Sequence, residues 1–321
     1  MTMLDGFPRS MAEFEARFTT EAACREYLFK TRWPDGWRCP RCDAADGWAN
    51  ARRLVECPAC GHQSSLTAGT VFHGTKRPLR LWFKAMFLMM TQKNGVSARA
   101  LQGFLGISYP TAWTWLQKLR HALGRRDRAP LTGTVEVDDA YWGGRRAGER
   151  GRRKGGGSKD LLLVAVEVKG RGAGRLRLAR PPDHTGESFE AVVESAVAPE
   201  SEVRTDGLSS FAGLAAKGYR HCPEVLGPNP GRRAVEALPQ VHRAISLLKR
   251  WLLGTHQGAP KGKHIAAYLQ EFEFRFNRRS ARHRSLLFQR LLDFGLADRA
   301  LPYWRIIGRT RPDQPLSMGV A

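Results

Sequence analysis

The chain has 321 residues, 42% of them hydrophobic, so it can bury a sizeable core and has room for about two or three domains. Lys and Arg number 52 against 30 Asp and Glu, a formal net charge of +22, which predicts a polyanionic partner, either nucleic acid or an anionic membrane surface. No apolar run approaches the roughly 18 to 20 residues of a membrane span, and the N-terminus has no apolar signal core. A soluble, cytoplasmic protein without a membrane partner is therefore expected.

Four of the six cysteines form two CxxC pairs, in the segments RCPRC and ECPAC, after one or two helices predicted over residues 11–30. Such pairs place four thiolates on tight turns and fit a tetrahedral zinc site with no open position for a substrate. Two disulfides are the alternative, but nothing in the sequence signals secretion. The other two cysteines, Cys24 and Cys222, are expected to be ordinary buried thiols. The predicted ligands of a structural Zn²⁺ are Cys39, Cys42, Cys57 and Cys60.

The next segments are helical. LRLWFKAMFLMMTQK is apolar nearly all round and should be buried. VSARALQGFLGISYPTAWTWLQKLRHAL divides into two helical patterns around the turn GIS, with Ser97 and Ser108 as candidate N-caps. This pattern is typical of a helix-turn-helix, whose second helix enters the major groove, although a plain helical hairpin shares it. On the DNA-binding interpretation, YPTAWTW faces base edges. The predicted phosphate contacts are then Arg120, Arg125, Arg126 and Arg128.

After Gly133 the chain changes from helical to strand-rich. TVEVDDAYWGG reads as one strand, and LLLVAVEVKG with GRLRLARPPD as a hairpin. The loop between them mixes glycine and arginine over residues 143–160, and it is either a solvated linker or a mobile basic arm that clamps phosphates. A helix, another strand and two more helices follow, which predicts an α/β domain.

Two aspartates, Asp138 and Asp206, come at the ends of predicted strands, where α/β sheets place ligand sites. Two such carboxylates can bind Mg²⁺ or Mn²⁺, which take phosphate oxygens as further ligands. Acidic residues in so basic a protein are then explained as a metal site at which water or a 3′-hydroxyl attacks a phosphate. Either aspartate taken alone would more simply end a strand or form a turn.

Several segments together resemble the DDE-superfamily transposases of bacterial insertion sequences, in the group with an N-terminal transposase zinc ribbon and a ribonuclease H-like catalytic domain. RWPDGWRCPRC, ECPAC and GTVFHGTKRPLRLWF resemble the ribbon segment, and VEVDDAYWGG and RTDG resemble the two catalytic strands. HRAISLLKRWLLGTHQG and YLQEFEFRFNRR resemble the C-terminal signature. The resemblance covers most of the chain. It implies an enzyme that binds the terminal inverted repeats of its element, cleaves DNA strands with a divalent metal and transfers them into target DNA, as a homo-oligomer on double-stranded DNA.

The resemblance makes Asp138 and Asp206 the first and second metal-binding aspartates. Asp139 stands where related sequences usually have glutamate, so it is treated as a neighbour with a secondary role. Relatives carry Glu, Asn or His at the third position, followed by a lysine, and the matching residues are His242 and Lys249, seven residues apart. That spacing returns to the same side of a helix, so both could line one site.

Alternatives remain open at each of these positions. Glu271, in YLQEF, is the rival third ligand, or it pairs with Arg275 one helical turn away. His242 could be a satisfied interior histidine, and Lys249 could contact a phosphate or belong to an exposed basic face. A basic helix end is predicted to contact the DNA backbone rather than to take part in catalysis. It consists of Arg275, Asn277, Arg278 and Arg279.

The expected fold is therefore α/β, with a ribonuclease H-like mixed-sheet catalytic domain preceded by a small zinc ribbon and a helical helix-turn-helix region. The expected parts are N-terminal helices and ribbon over 1–75, the helix-turn-helix region over 76–130, the catalytic domain over 131–300 and a tail over 301–321. A zinc-ribbon transcriptional regulator is the alternative from another class, but it leaves the two strand-end aspartates unexplained. A catalytically decayed transposase is the other, and DNA cleavage distinguishes an active transposase from both.

Overall fold

A computed structural model of the chain describes residues 8–124, 128–143, 159–224, 232–258, 260 and 262–309. The chain forms two compact units, Met1–Leu123 with Ala281–Ala321 and, inserted between these segments, Gly124–Ser280. The division into compact units does not test which segment has which function. The four-part division predicted above therefore stays a prediction. The predicted phosphate-clamping loop lies outside the described residues over 144–158, as do Arg125 and Arg126.

The secondary structure has the following bounds. The helices, in chain order, are α1 (Met11–Arg17), α2 (Glu21–Arg32), α3 (Leu79–Thr91), α4 (Ala98–Leu105), α5 (Tyr109–Ala122), α6 (Gly186–Ala196), α7 (Arg232–Ala237), α8 (Pro239–Gly254), α9 (Ile265–Asn277), α10 (Leu286–Ala297) and α11 (Tyr303–Ile306). The strands are β1 (Trp48–Ala49), β2 (Val55–Glu56), β3 (Gln63–Ser64), β4 (Thr134–Trp142), β5 (Asp160–Lys169), β6 (Gly172–Ala179), β7 (Glu202–Thr205) and β8 (Arg220–Pro223). Within the ranges described above, no helix combines the length and apolar composition that a bilayer crossing requires.

The core of the first unit forms around α3, which is buried along most of its length as its all-round apolar pattern predicts. Aromatic rings from distant parts of the sequence meet there. The ring centroid of Phe288, on α10, lies 5.5 Å from that of Phe83 and 6.1 Å from that of Phe18. Gly295 of α10 also lies against Val71, and a Cβ at this glycine would come within 2.8 Å of the valine Cγ1. The last long helix of the chain therefore completes a core that the first hundred residues begin.

The second unit is built on a five-stranded sheet of order β6-β5-β4-β7-β8. Strands β6, β5 and β4 are mutually antiparallel, whereas β7 and β8 continue the sheet parallel to β4. The first strand of this unit, β4, lies at the centre of the sheet. The antiparallel hairpin β5-β6 lies on one side of it and the parallel strands β7 and β8 on the other, which is the ribonuclease H-like arrangement. The predicted fold class is confirmed, as is the predicted hairpin, which is β5 and β6.

Helices cover both faces of this sheet. Ala140 and Val164 share a core with α8 and α9, whereas Val137 and Leu163 share one with α6 on the other face. Side chains alternate along a strand, so the side chain of Asp138 leaves β4 on the α8 side and that of Asp139 leaves it on the α6 side. The central strand β4 therefore presents one aspartate to the helices on each face of the sheet.

A buried ion pair fastens β5 to β6. Glu167, only 2% exposed, accepts hydrogen bonds from the backbone N–H groups of Thr132 and Arg175 at 3.0 Å and from the Arg175 guanidinium. Burial opposes ionisation of this carboxyl, but the guanidinium and the two N–H groups outweigh it and lower the pKa of Glu167 to about 2. The ionised carboxylate is thus part of the folded state.

This pair predicts a pH-dependent stability. Because the folded-state pKa lies below the ordinary value of 4.5, the pair stabilises fully above pH 4.5, and its contribution is lost as the pH falls toward 2. We expect Glu167→Gln to lower the free energy of unfolding by about 3 kcal/mol at pH 7, the typical cost of breaking a buried pair, and by much less near pH 3. Urea unfolding at both pH values measures this. An equal loss at the two values would contradict an ionic origin.

Candidate catalytic and metal sites

The parallel neighbours β4 and β7 bring Asp138 and Asp206 side by side. Their register pairs Thr134 with Glu202 and Glu136 with Arg204, so Asp206, directly after β7, falls level with Asp138. Gly207, with φ +77°, then turns the chain away from the sheet. Because β7 ends at this level while β4 continues, a notch opens along the edge of β4.

Three carboxylates meet at this notch. Asp138, Asp139 and Asp206 each place an oxygen within 4.8 Å of the others. Asp138 is 7% exposed and its Oδ1 accepts the backbone N–H of Asp139 at 2.9 Å, while the other two side chains are half-buried. Strand alternation alone would separate Asp139 from Asp138, and Asp139 was predicted to have only a secondary role because related sequences usually have glutamate at this position. Asp139 nonetheless joins the group, because its carboxylate lies within 4.8 Å of the other two.

The predicted third residue, His242, lies against this group. It stands in the first turns of α8, and its Nδ1 is 3.5 Å from Asp138 Oδ2. The imidazole is half-buried, with 26% of the side chain exposed. Lys249 follows two helical turns later and is exposed, as a phosphate contact would require.

The rival third residue, Glu271, is fully buried on α9. It lies on a different side of that helix from Leu269 and Phe272, which belong to the core against the sheet. Of the two candidates, both within the described residues, His242 is the one that lies against Asp138.

The four paired cysteines form a second ligand group. They lie around the small antiparallel sheet β1-β2-β3, and their sulfurs are within 4.8 Å of one another. The Sγ atoms of Cys39 and Cys60 are 3.6 Å apart, as are those of Cys42 and Cys57, and none of the four forms a disulfide. Thiolates on one tetrahedral Zn²⁺ are about 3.8 Å apart, given a Zn–S bond of about 2.3 Å. The spacing thus fits a zinc ribbon.

Within the cysteine group the thiol pKa values shift in both directions. The backbone N–H of Ala44 donates to the sulfur of Cys42, but the neighbouring sulfurs and burial outweigh it and raise the pKa of Cys42 to about 12. Burial opposes ionisation of Cys39, but the backbone N–H groups of Arg41 and Cys42 donate to its sulfur and lower its pKa to about 7. Burial raises the pKa of Cys24 to about 12, as expected for an inert core thiol. The same expectation was wrong for Cys222, which is exposed on the edge strand β8.

The predicted helix pair is present as α4 and α5. Ser97 and Ser108 cap them as expected, and Gly106, with φ +62°, ends α4. The first residues of α5, beginning with Tyr109, are exposed, but Trp115 is buried and stacks on Trp82 with ring centroids 4.1 Å apart. The N-terminal turn of α5 is therefore the part of YPTAWTW that can reach DNA.

The predicted phosphate contact was wrong for Arg120, and Arg128 is engaged in an ion pair within the protein. Arg120 is 1% exposed because it lies on the inward side of α5. Arg128 forms an ion pair with the buried Glu273, which also pairs with Arg177. Both arginine side chains are enclosed or paired within the protein. A count of all the cations near α4 and α5 therefore overestimates the positive charge that is available to bind DNA.

The basic end of α9 also has a structural role. The side chain of Asn277 accepts the N–H of Leu176 at 2.6 Å and donates to the carbonyl of the same residue at 2.9 Å. Arg279 donates to the carbonyl of Gly174 at 3.1 Å. These two side chains fasten the end of α9 to β6, and their contact with the DNA backbone stays a prediction.

Sequence reasoning missed a polar link beside the carboxylates. The hydroxyl of Tyr141, two residues beyond Asp139, is hydrogen-bonded to His184 Nε2. Ser210, in the segment that follows Asp206, donates to the His184 carbonyl at 2.6 Å. The link therefore ties together the two segments that carry the carboxylates. No spacing in the sequence marks it, since its members come from three separate elements.

Two family models match the chain: "ISXO2-like transposase domain" over residues 130–277 and "Transposase zinc-ribbon domain" over residues 19–63. A curated relative from Halobacterium salinarum, "Uncharacterized protein in transposable element ISH50", is 27% identical over 281 residues, which cover 80% of this chain and 91% of the relative. A solved chain from "Crystal structure of the Mos1 Strand Transfer Complex" matches at 12% identity and a TM-score of 0.20, over 66% of this chain and 78% of that one, too weakly to support an argument. The two matched domains contain the cysteine group and the carboxylate group respectively. Residues 130–277 therefore belong to the ISXO2-like transposase domains of the DDE superfamily, and residues 19–63 belong to the transposase zinc ribbons.

Proposed function

We propose that this transposase binds the terminal inverted repeats of its insertion sequence, cleaves DNA strands there in a metal-dependent reaction and transfers the freed 3′-hydroxyl into target DNA. The observation that carries the proposal is the group of Asp138, Asp139 and Asp206 with His242 against it. Carboxylates this close repel one another unless a cation or a proton lies between them. A site of this kind is suited to phosphate chemistry rather than to DNA binding alone.

The donors fit Mg²⁺ or Mn²⁺, because both prefer carboxylate oxygens and keep positions for water and phosphate oxygens. Bound at Asp138 and Asp206, such an ion would neutralise charge on the phosphate under attack and activate water or a 3′-hydroxyl. His242 would be the third ligand, a choice that favours Mn²⁺ over Mg²⁺ because imidazole is the softer donor. The cysteine group would hold Zn²⁺ in a purely structural role, since four thiolates leave no open position.

The residues themselves contribute positioning and charge. Asp138 is held on a central strand between two packed layers, so its carboxylate is preorganised. Lys249 would contact a phosphate near the cleaved bond as a point charge. Phosphoryl transfer needs such positioning and charge neutralisation more than a covalent nucleophile.

The first unit would supply DNA recognition. We propose that its ribbon and the exposed N-terminal turn of α5 contact the bases of the repeats. The net charge of +22 favours binding to the phosphates. Cleavage at both ends of an element requires two active sites, so we also propose a homo-oligomer assembled on the DNA. The proposed location is the cytoplasm, where the element itself is accessible.

The deciding experiment is strand cleavage of a labelled duplex that carries the inverted repeats flanking the gene. With Mg²⁺ or Mn²⁺ the wild type is expected to nick at the repeat end, which a denaturing gel resolves to the nucleotide. A duplex with scrambled ends is the control and should stay intact. If the wild type binds the repeats tightly and never cuts with either metal, the chain is a DNA-binding regulator or a decayed transposase instead.

A further inference from the structure

The helix that carries His242 lacks a cap of its own. The residue before α8 is the apolar Leu238, and the first helical position is Pro239, which has no N–H. The next two backbone N–H groups, of Gln240 and Val241, need an acceptor from elsewhere. Both donate to a single atom, Glu136 Oε2, at 2.7 and 2.8 Å. The capping group of α8 is therefore a carboxylate from another element.

Glu136 belongs to β4. It is 2% exposed and lies two residues before Asp138, on the same face of the sheet. His242 follows Val241 directly, and its imidazole lies 3.5 Å from the Asp138 carboxylate. Strand and helix are thus joined at two successive points, first through Glu136 and then through the pair of Asp138 with His242.

We propose that Glu136 is a positioning residue, which fixes the His242 imidazole at the metal-binding carboxylates by anchoring the first turn of α8 to β4. The proposal rests on the proposed function, because it places His242 in the catalytic site. Two N–H groups that donate to one buried oxygen hold that turn in a single position. A misplacement of about 1 Å can cost about 10²-fold in rate, so the anchor affects turnover without touching DNA.

The chain offers a matched control for the loss of a buried glutamate. Glu167 is also 2% exposed, and it lies on the neighbouring strand, one step away in the register that pairs Glu136 with Val166. Its carboxylate bonds Thr132 and Arg175 rather than α8. Removing either glutamate leaves buried donors without their acceptor and lowers stability. Removing Glu136 also releases the turn before His242.

The kinetic test compares single-turnover cleavage at saturating DNA and metal. Glu136→Ala is expected to cut about 10²-fold more slowly with unchanged DNA affinity, whereas Glu167→Ala loses thermal stability but keeps its rate. Glu136→Gln retains an amide oxygen that can accept both N–H groups, so it should recover most of the rate. Because Glu136 acts through His242, adding Glu136→Ala to His242→Ala should cause no further loss. Losses that multiply, or equal rates for Glu136→Ala and Glu167→Ala, would overturn the proposal.

A second readout does not require cleavage. Mn²⁺ bound to the full chain is examined by pulsed electron paramagnetic resonance for the nitrogen coupling of an imidazole ligand. The coupling is expected in the wild type and Glu136→Gln, and it should be absent in His242→Ala and weakened in Glu136→Ala while Mn²⁺ remains bound. That pattern in a protein that never cuts DNA would support the positioning role while refuting the cleavage function. A wild type that cuts without nitrogen coupling would refute the positioning role alone.

Discussion

Asp138→Asn and Asp206→Asn are expected to abolish strand cleavage, by at least about 10³-fold, while binding to the repeat DNA is retained. Each substitution keeps the shape of the side chain and removes one negative charge from the group formed with Asp139. The stability of the folded chain should not fall, because removing one of the carboxylates reduces the electrostatic repulsion among those that remain. We therefore expect a thermal midpoint, measured by circular dichroism without divalent metal, at or above that of the wild type.

A matched control for this prediction is Asp160→Asn. Asp160 is 7% exposed, as Asp138 is, and lies at the start of the neighbouring strand β5, where it pairs with Arg180. The loss of its charge breaks that pair, so this variant should be less stable and still cut DNA. If Asp138→Asn instead cut within about tenfold of the wild-type rate, the carboxylate group would not be the catalytic site.

The second large effect is expected on removal of zinc. Stripping the metal with a chelator, or replacing Cys57 with serine, should unfold the ribbon and abolish binding to the repeat DNA. The strands β1, β2 and β3 are two residues long each, and their small core includes Cys39 and Cys57 themselves. Structural zinc in small domains contributes about 10–16 kcal/mol of apparent binding free energy, far more than such a core can replace. Elemental analysis should find one zinc per chain.

Cys24→Ala provides the control for the cysteine substitution. Cys24 is buried on α2 in the same unit, away from the cysteine group. This variant should lose some stability through its cavity and retain both zinc and DNA binding. Stoichiometric zinc and unchanged DNA affinity in Cys57→Ser would contradict the ribbon as a metal-dependent element.

Features that depend on short spacings could be predicted from the sequence. The CxxC pairs, the caps Ser97 and Ser108 and the strand that contains Asp138 each involve a few consecutive residues, so local geometry determines them. Asp206 was predicted from its position at a strand end, and the resemblance added His242, although both are distant in sequence from Asp138. The structure then places both beside Asp138.

Features that depend on packing between distant segments could not be predicted in this way. Whether Arg120 reaches solvent depends on which side of α5 faces inward, and nothing within the helix decides that. Asp139 joins a carboxylate group that includes Asp206, which the register between β4 and another strand, β7, brings level with Asp138. Asn277 looks like a surface group in a basic segment, but its amide matches the backbone of β6. In each case the partner comes from elsewhere in the chain.

The position of α10 in the chain has a consequence for biosynthesis. Chains emerge from the ribosome from the N-terminus, and domains fold as their last segment becomes available. Phe288 and Gly295 complete the core around Phe83 and Val71, although the whole inserted unit separates them in sequence. The proposed DNA-binding unit therefore matures after the catalytic unit has been synthesised. A prematurely terminated translation product lacks this helix, so we expect it to bind the element ends more weakly than the intact chain and to compete poorly with it.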